Sequence, residues 1–198
     1  MSFQTPAIDL KLYLLINQEW RFDLFDFIMP ILSSKIALFA ILGLALGYAV
    51  MKGGKRQIIF FLILLAGMGL SDVTTNVIKK QVHRVRPLNA VAGTYHQAHG
   101  YWERRSPDFI QTEERGTSYP SAHSSNSMCL AVLVILLWPA LKKWPLFLPL
   151  LVGYSRVYLG KHYPVDVLAG WIWGLIIAGI IWLIWNKFGE RYMPTSDN

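Results

Sequence analysis

Four largely apolar stretches, near residues 31–51, 57–78, 121–141 and 165–185, set the main limit on what this chain can fold into. A helix that crosses a bilayer needs about 20 such residues, because a rise of about 1.5 Å per residue must match about 30 Å of hydrocarbon. Hydrophobic residues make up 54% of the 198 and charged residues 16%, against about 25% charged in soluble domains. A shorter apolar stretch, 145–159, reads as a fifth span reaching toward Gly160. In the first thirty residues, Ile8, Leu10, Leu12, Leu14 and Leu15 alternate with Asp9, Lys11 and Asn17, and Arg21, Asp23 and Asp26 follow. That mixture suits helices lying in the membrane interface, or a sixth span folded from 8–32. The expectation is an all-α, polytopic membrane bundle of five to six helices, forming a single domain over 1–198. Its N-terminal segment, 1–30, is interfacial, and a long extramembrane loop covers 80–120.

Turn signals fall between the spans: Gly53-Gly54, Lys142-Lys143 with Pro145, and Gly160 with Pro164. There is no basic segment leading a compact apolar run to a small-residue cleavage site, so the spans themselves are expected to direct insertion. Cys129 is the sole cysteine and lies in an apolar run, where it reads as a small packing residue. The net charge of +7 fits anionic headgroups or an anionic substrate. Nucleic acid is not expected, because the basic residues cluster at span ends rather than along one polar face.

With these spans, three polar clusters share one membrane face: 79–87, 119–123 and 155–166. The opposite face carries Lys52, Lys55, Arg56, Lys142, Lys143, Lys187 and Arg191. The positive-inside rule makes that second face cytoplasmic once the basic residues recruited for chemistry are set aside; counting all of them points the other way.

Charges near a bilayer core cost about 2.5 to 3.5 kcal/mol each, so three charged clusters from three spans call for a shared explanation. An anionic ligand supplies one. In "YPSAH", Pro120 reads as the first residue of a helix, leaving the amides of Ser121, Ala122 and His123 without intrahelical partners and Ser121 as a hydroxyl donor. In "KKQVHRVRP", Lys79 and Arg86 are seven apart and share a face if the helix persists, with Pro87 ending regular structure. Arginine presents a planar fork of donors to phosphate and lysine a mobile charge. Lys80 and Arg84 read instead as interface anchors. In "SRVYLGKHYPVD", Pro164 opens a helix, with His162 just before it and Asp166 in its first turn. There the aspartate can fix the imidazole tautomer and free the other nitrogen to attack, while Arg156 can bind phosphate oxygens.

These three segments resemble the tripartite signature of the type 2 phosphatidic acid phosphatase (PAP2) superfamily. Lys79, Arg86 and Pro87 fit K-x6-R-P; residues 120–123 are similar to P-S-G-H, with Ala122 in place of glycine; and residues 155–166 fit S-R-x5-H-x3-D. Alanine is harmless there if the residue lies in a helical first turn and strained if a positive φ is needed. The resemblance implies a core shared with haloperoxidases and an integral-membrane lipid phosphatase. His162 would be the nucleophile that forms a phosphohistidine, oriented by Asp166, and His123 the acid and then base. Lys79, Arg86, Ser121, Arg156 and the amide of Ala122 or His123 would hold the phosphoryl oxygens.

The implied substrate is a lipid phosphate or diphosphate, with undecaprenyl diphosphate preferred and lipid A, phosphatidylglycerol phosphate and phosphatidic acid as alternatives. The three motifs touch phosphate and not the tail, so they do not choose among these. A haloperoxidase shares the phosphate site but is soluble in its known members, and a binding or transport protein would not need His123, His162 and Asp166. No metal or cofactor and no obligatory protein partner are expected; His96 and His99 read as solvated loop residues. Asp72 reads as a hydrogen-bonded partner within the bundle, with Thr74, Thr75 and Asn76. Residues 88–119 bring Tyr95, Tyr101, Trp102, Arg104, Arg105 and Arg115 to the surface, for headgroup recognition or interfacial seating alike. The expected location is the bacterial cytoplasmic membrane, with the site facing outward.

Overall fold

The computed structural model describes residues 5–52, 54–111 and 113–189. Of the residues singled out above, Gly53 and Arg191 lie outside the described residues, as does the side chain of Lys52. Among the described residues, seven α-helices form: α1 (Ala7–Leu14), α2 (Asp23–Leu32), α3 (Lys35–Lys52), α4 (Gly54–Val82), α5 (Ala122–Leu137), α6 (Phe147–Tyr158) and α7 (Pro164–Ile184). All five predicted spans are helical. Among the described residues, two helices, those built on α4 and α7, are long and apolar enough to cross a membrane. At 16 and 12 residues, α5 and α6 are shorter than a full crossing needs. No span forms over 8–32: the chain turns at residues 20–22 between α1 and α2.

The bundle core is apolar where α4, α5 and α7 meet, with Phe60, Leu64, Met68, Leu130, Leu133 and Ile177 buried together. Higher up, the interior is polar. Ser71 and Ser125 share a hydrogen bond of 2.7 Å between α4 and α5, and Thr75, Ser124 and Ser127 are also buried. The outward faces of the same helices are apolar, through Leu62, Leu65, Val73 and Val77 on α4 and Leu168, Ile172, Leu175 and Ile180 on α7. Hydroxyls inside and aliphatic chains outside match a bilayer as solvent.

The seam between α5 and α7 is tight. A Cβ on Gly174 would collide with the Ser125 carbonyl, and one on Gly170 would lie 2.5 Å from that of Ser121. The G-x3-G spacing puts both glycines on one face of α7, so its backbone rests directly on α5.

The long loop is not wholly irregular. An antiparallel hairpin, β1 (Tyr95–Ala98) and β2 (Tyr101–Arg104), pairs Tyr95 with Arg104 and His96 with Glu103. His99 and Gly100 both have positive φ, the requirement of a two-residue turn whose twist matches its strands. His96 is therefore a buried strand residue and not a solvated one, while His99 is exposed at the turn. Burial, reinforced by the Arg105 charge, holds the His96 imidazole below its ordinary pKa.

The N-terminal segment fastens this hairpin to the bundle. Asn17 donates to the carbonyls of Tyr95 and Tyr158 at 2.9 and 2.8 Å and accepts from the Tyr95 amide at 2.9 Å. Arg21, paired with Asp26, lies over the rings of Tyr95, Trp102 and Tyr158 at 4.4, 4.2 and 4.6 Å. Arg104 and Arg105 donate to the carbonyls of Gly93 and Leu88. Much of the basic and aromatic character of the loop thus holds the loop itself together.

Candidate active site

Three chain reversals bring the motif residues together. α4 stops at Val82 because His83 takes a left-handed φ of 55°. Arg86 therefore lies beyond the helix on an extended segment, and not on a shared helical face with Lys79. That segment pairs with residues 116–118: the Gly116 amide donates to the His83 carbonyl at 3.0 Å, and the Ser118 amide to that of Arg84 at 2.9 Å. A Cβ on Gly116 would sit 2.5 Å from the Val85 Cα, so only glycine permits the approach.

Pro120 precedes the helix cap and is not the first helical residue. Ser121 is the N-cap of α5, its Oγ accepting from the Ser124 amide and hydroxyl at 3.4 and 2.9 Å, with its own proton left to donate. The Ser121 amide, expected to be open to an anion, donates instead to the Asp166 carbonyl at 2.9 Å and ties the start of α5 to that of α7. Ala122 is the first residue of α5 and His123 the second. Among the described residues the non-glycines with positive φ are His83, His99 and Lys142, so Ala122 occupies its place without backbone strain.

Past the end of α6, the Arg156 carbonyl accepts from the amides of Lys161 and His162 at 3.1 and 3.3 Å, folding His162 back over the arginine. Arg156 is buried and donates from Nη1 to Ser33 Oγ. The charges of Lys79, Arg86 and Arg156 act on one another, and those of Lys79 and Arg156 on His162, so the first and third motifs form one basic cluster. Lys161, half-buried, belongs to it too; burial and the charges of Arg156 and Arg86 lower its pKa.

His162 is 1% exposed and its Nδ1 lies 2.7 Å from the Ser118 carbonyl oxygen. A carbonyl only accepts, so Nδ1 carries the proton and Nε2 keeps its lone pair. The sequence pattern assigns this bond to Asp166, but Asp166 Oδ2 is 3.8 Å from Nδ1. It acts one step removed. Asp166 Oδ2 accepts from the Ser118 hydroxyl at 2.5 Å and from the Tyr163 amide at 2.9 Å, and so fixes the residue whose carbonyl fixes the histidine. Burial, with the Arg156 and Lys79 charges, pulls the His162 pKa down to about 4 against the opposing pull of Asp166. The ring is neutral at pH 7, as a nucleophile requires.

Arg84 is not an interface anchor. It is 2% exposed, with Nη1 2.5 Å from Asp166 Oδ1 and Nη2 2.6 Å from Asp9 Oδ2. Its guanidinium lies 4.0 Å from the centre of the Tyr163 ring. Lys80 remains exposed, as an anchor would be. Two donors, Arg86 Nε and Arg156 Nε, are buried without a hydrogen-bond partner among the described residues. Buried donors are almost always satisfied, so two in one basic cluster mark a place for an acceptor.

The sequence model of the PAP2 superfamily matches residues 60–190, the portion that carries all three motifs. The chain belongs to the PAP2 superfamily. PAP2 relatives include an undecaprenyl-diphosphatase of Sulfolobus acidocaldarius, 32% identical over 128 residues, which cover 63% of this chain and 54% of that protein. Undecaprenyl-diphosphatase BcrC of Bacillus subtilis is 38% identical over 82 residues, covering 40% of this chain and 39% of the relative. The matched region thus spans about half the length of these relatives or less. Among solved structures, Aquifex aeolicus LpxE superposes with a TM-score of 0.68 at 21% identity, covering 92% of this chain and 99% of that one. The transmembrane PAP2-type phosphatidylglycerolphosphate phosphatase of Bacillus subtilis gives 0.62 at 22%, covering 96% and 90%. These likenesses place the bundle and its polar end within the PAP2 fold.

The three sequence motifs do not point to Ser118, to Asp9 or to Arg84 as a site residue. Their only sequence signals are a serine just before "YPSAH", a lone carboxylate in an apolar N-terminal stretch and a second arginine in "RVRP".

Proposed function

We propose that this chain is an integral-membrane phosphatase that hydrolyses a lipid phosphate or lipid diphosphate through a phosphohistidine on His162. The observation that carries this reading is the Ser118 carbonyl at Nδ1, which leaves the Nε2 lone pair as the ring's only reactive electrons, beside three cationic side chains. Nε2 attacks phosphorus, the bond from phosphorus to the leaving oxygen breaks, and His123 gives that oxygen its proton. His123 then takes a proton from water, whose oxygen displaces Nε2 from phosphorus and releases phosphate. Lys79, Arg86, Arg156, the Ser121 hydroxyl and the amide of Ala122 hold the equatorial oxygens, and Arg86 Nε and Arg156 Nε are the buried donors available to them. Phosphoryl transfer asks for positioning and charge stabilisation above all, and these residues supply both. The scheme calls on no metal.

Undecaprenyl diphosphate is the proposed substrate, supported by the names of the two relatives above. The catalytic end is assigned to the outer face of a bacterial cytoplasmic membrane, because Lys55, Arg56, Lys142, Lys143 and Lys187 gather at the other end. The test is phosphate release in detergent from undecaprenyl diphosphate, phosphatidylglycerol phosphate, phosphatidic acid and lipid A, by wild type and His162→Ala, with and without a chelator. Release by wild type alone, unaffected by chelator and fastest on the diphosphate, is the expected result. Equal release by the two proteins removes His162 as nucleophile.

A further inference from the structure

The N-terminal helix reaches the reacting histidine through an unbroken line of buried polar contacts. Asp9 on α1 accepts from Arg84 at 2.6 Å with one carboxylate oxygen and from the Val165 amide at 2.9 Å with the other. Arg84 continues to Asp166 at 2.5 Å, Asp166 to the Ser118 hydroxyl at 2.5 Å, and the Ser118 carbonyl to His162 at 2.7 Å. Asp9, Arg84, Asp166 and His162 are each at most 2% exposed.

Two carboxylates share one guanidinium, so the trio carries one net negative charge. With Asp166 and Arg84 alone, the charge beside His162 would be cancelled. Once phosphorus is bonded to Nε2 while Nδ1 keeps its proton, the imidazole is cationic, and a nearby negative charge in a desolvated site stabilises it. Asp9 also holds the first turn of α7, which carries Asp166.

We infer that Asp9 is a positioning residue for the phosphoryl transfer: by occupying one side of Arg84 it leaves the charge of Asp166 available to support phosphorylated His162. This rests on the phosphohistidine reading, and it makes α1 a working part of the enzyme. The charged groups that act on His162 directly are Lys79 from α4, Arg156 from the end of α6 and Asp166 from α7; Arg84 pairs with Asp166, Arg86 acts on Lys79 and Arg156, and Lys161 is a charged neighbour of Arg156 and Arg86. Asp9 acts on it from α1 through Arg84.

The experiment compares full-length wild type, Asp9→Asn, Asp9→Glu, Tyr13→Phe and His162→Ala in detergent. It measures kcat, KM and the pH dependence of kcat on undecaprenyl diphosphate, together with the thermal midpoint. Tyr13→Phe removes the buried 2.9 Å bond from α1 to Thr94 without changing any charge. For Asp9→Asn, kcat is expected to fall about tenfold or more, with KM within about twofold, as the loss of one unit of charge at short range in a desolvated site implies. Removing a negative charge disfavours the protonated ring, so the acid limb of the profile moves to lower pH; Asp9→Glu restores it. Tyr13→Phe lowers the thermal midpoint and leaves the limb in place. If Asp9→Asn does not fold, Asp9→Ser, which keeps a hydroxyl acceptor, is held to the same expectations. Wild-type kcat and limb in the Asp9 variant overturn the inference, as does a Tyr13→Phe variant that reproduces both changes. Activity in His162→Ala overturns the parent reading instead, whatever the Asp9 variants do.

Discussion

At one end of the bundle, Phe60 packs edge-on against Trp138 and Trp185 at 5.2 and 6.0 Å, and the Trp138 indole donates to Gln57 at 2.9 Å. At the other end, Arg84 lies between Asp9 and Asp166, and the hydrogen bonds run through Ser118 to His162. The first end is closed by shape and the second by charge. An apolar contact tolerates a lost methylene at a modest cost in stability. A buried ion pair that loses one partner leaves an uncompensated charge, at a cost of about 3 to 5 kcal/mol. Substitutions at the apolar end are therefore expected to cost stability alone, and those at the charged end chemistry, with stability lost as well wherever an ion pair is broken.

The largest expected effect is that of His162→Ala, with phosphate release down on the order of 10⁴-fold or more while the thermal midpoint stays near that of wild type. Next is Arg156→Ala, which removes a proposed donor to phosphate and the Ser33 contact; kcat/KM is expected to fall about 10² to 10³-fold, measured by the same assay. Leu133→Ala tests the other end. Its side chain is wholly buried, so denaturation in detergent is expected to show about 2 to 5 kcal/mol less stability, with kcat per folded molecule unchanged. A large loss of kcat there would break the division between the two ends.

A subtler expectation concerns protonation. The His162 ring, followed by ¹⁵N chemical shift and assigned with His162→Ala, is expected to titrate near 4 rather than 6.5 in the protein without ligand. Its neutral form is then present at any pH above about 4 and is lost as pH falls through that value. The smallest effect belongs to Lys142→Ala with Lys143→Ala. Both residues are exposed and far along the chain from any motif, so kcat is expected to stay within about twofold of wild type.

Apolar length and turn residues locate α3 to α7 as helices, though α5 and α6 are shorter than the spans expected there, and motif spacing locates the histidine, the aspartate and their cationic neighbours. What the sequence hides depends on contacts between distant residues. Lys80 and Arg84 look alike at the end of an apolar helix, and only the left-handed turn at His83 and a carboxylate 75 positions away turn Arg84 inward while Lys80 stays out. Ser118 acts partly through its main-chain carbonyl, which no side-chain pattern reports. The hairpin is legible in principle, since "HG" sits between "YHQA" and "YWER", but basic and aromatic residues at a membrane surface suit lipid contact equally well. The arginine among three rings shows that those residues are largely occupied with one another.

The glycine seam between α5 and α7 has a mechanical meaning. Two helices in main-chain contact have no side chains between them to act as bearings, so they can neither slide nor roll independently and move as one strut. That strut carries His123 on one member and Asp166 on the other. Any adjustment of the bundle must then fall to the helices and loop around it, while the spacing of His123 and Asp166 stays constant.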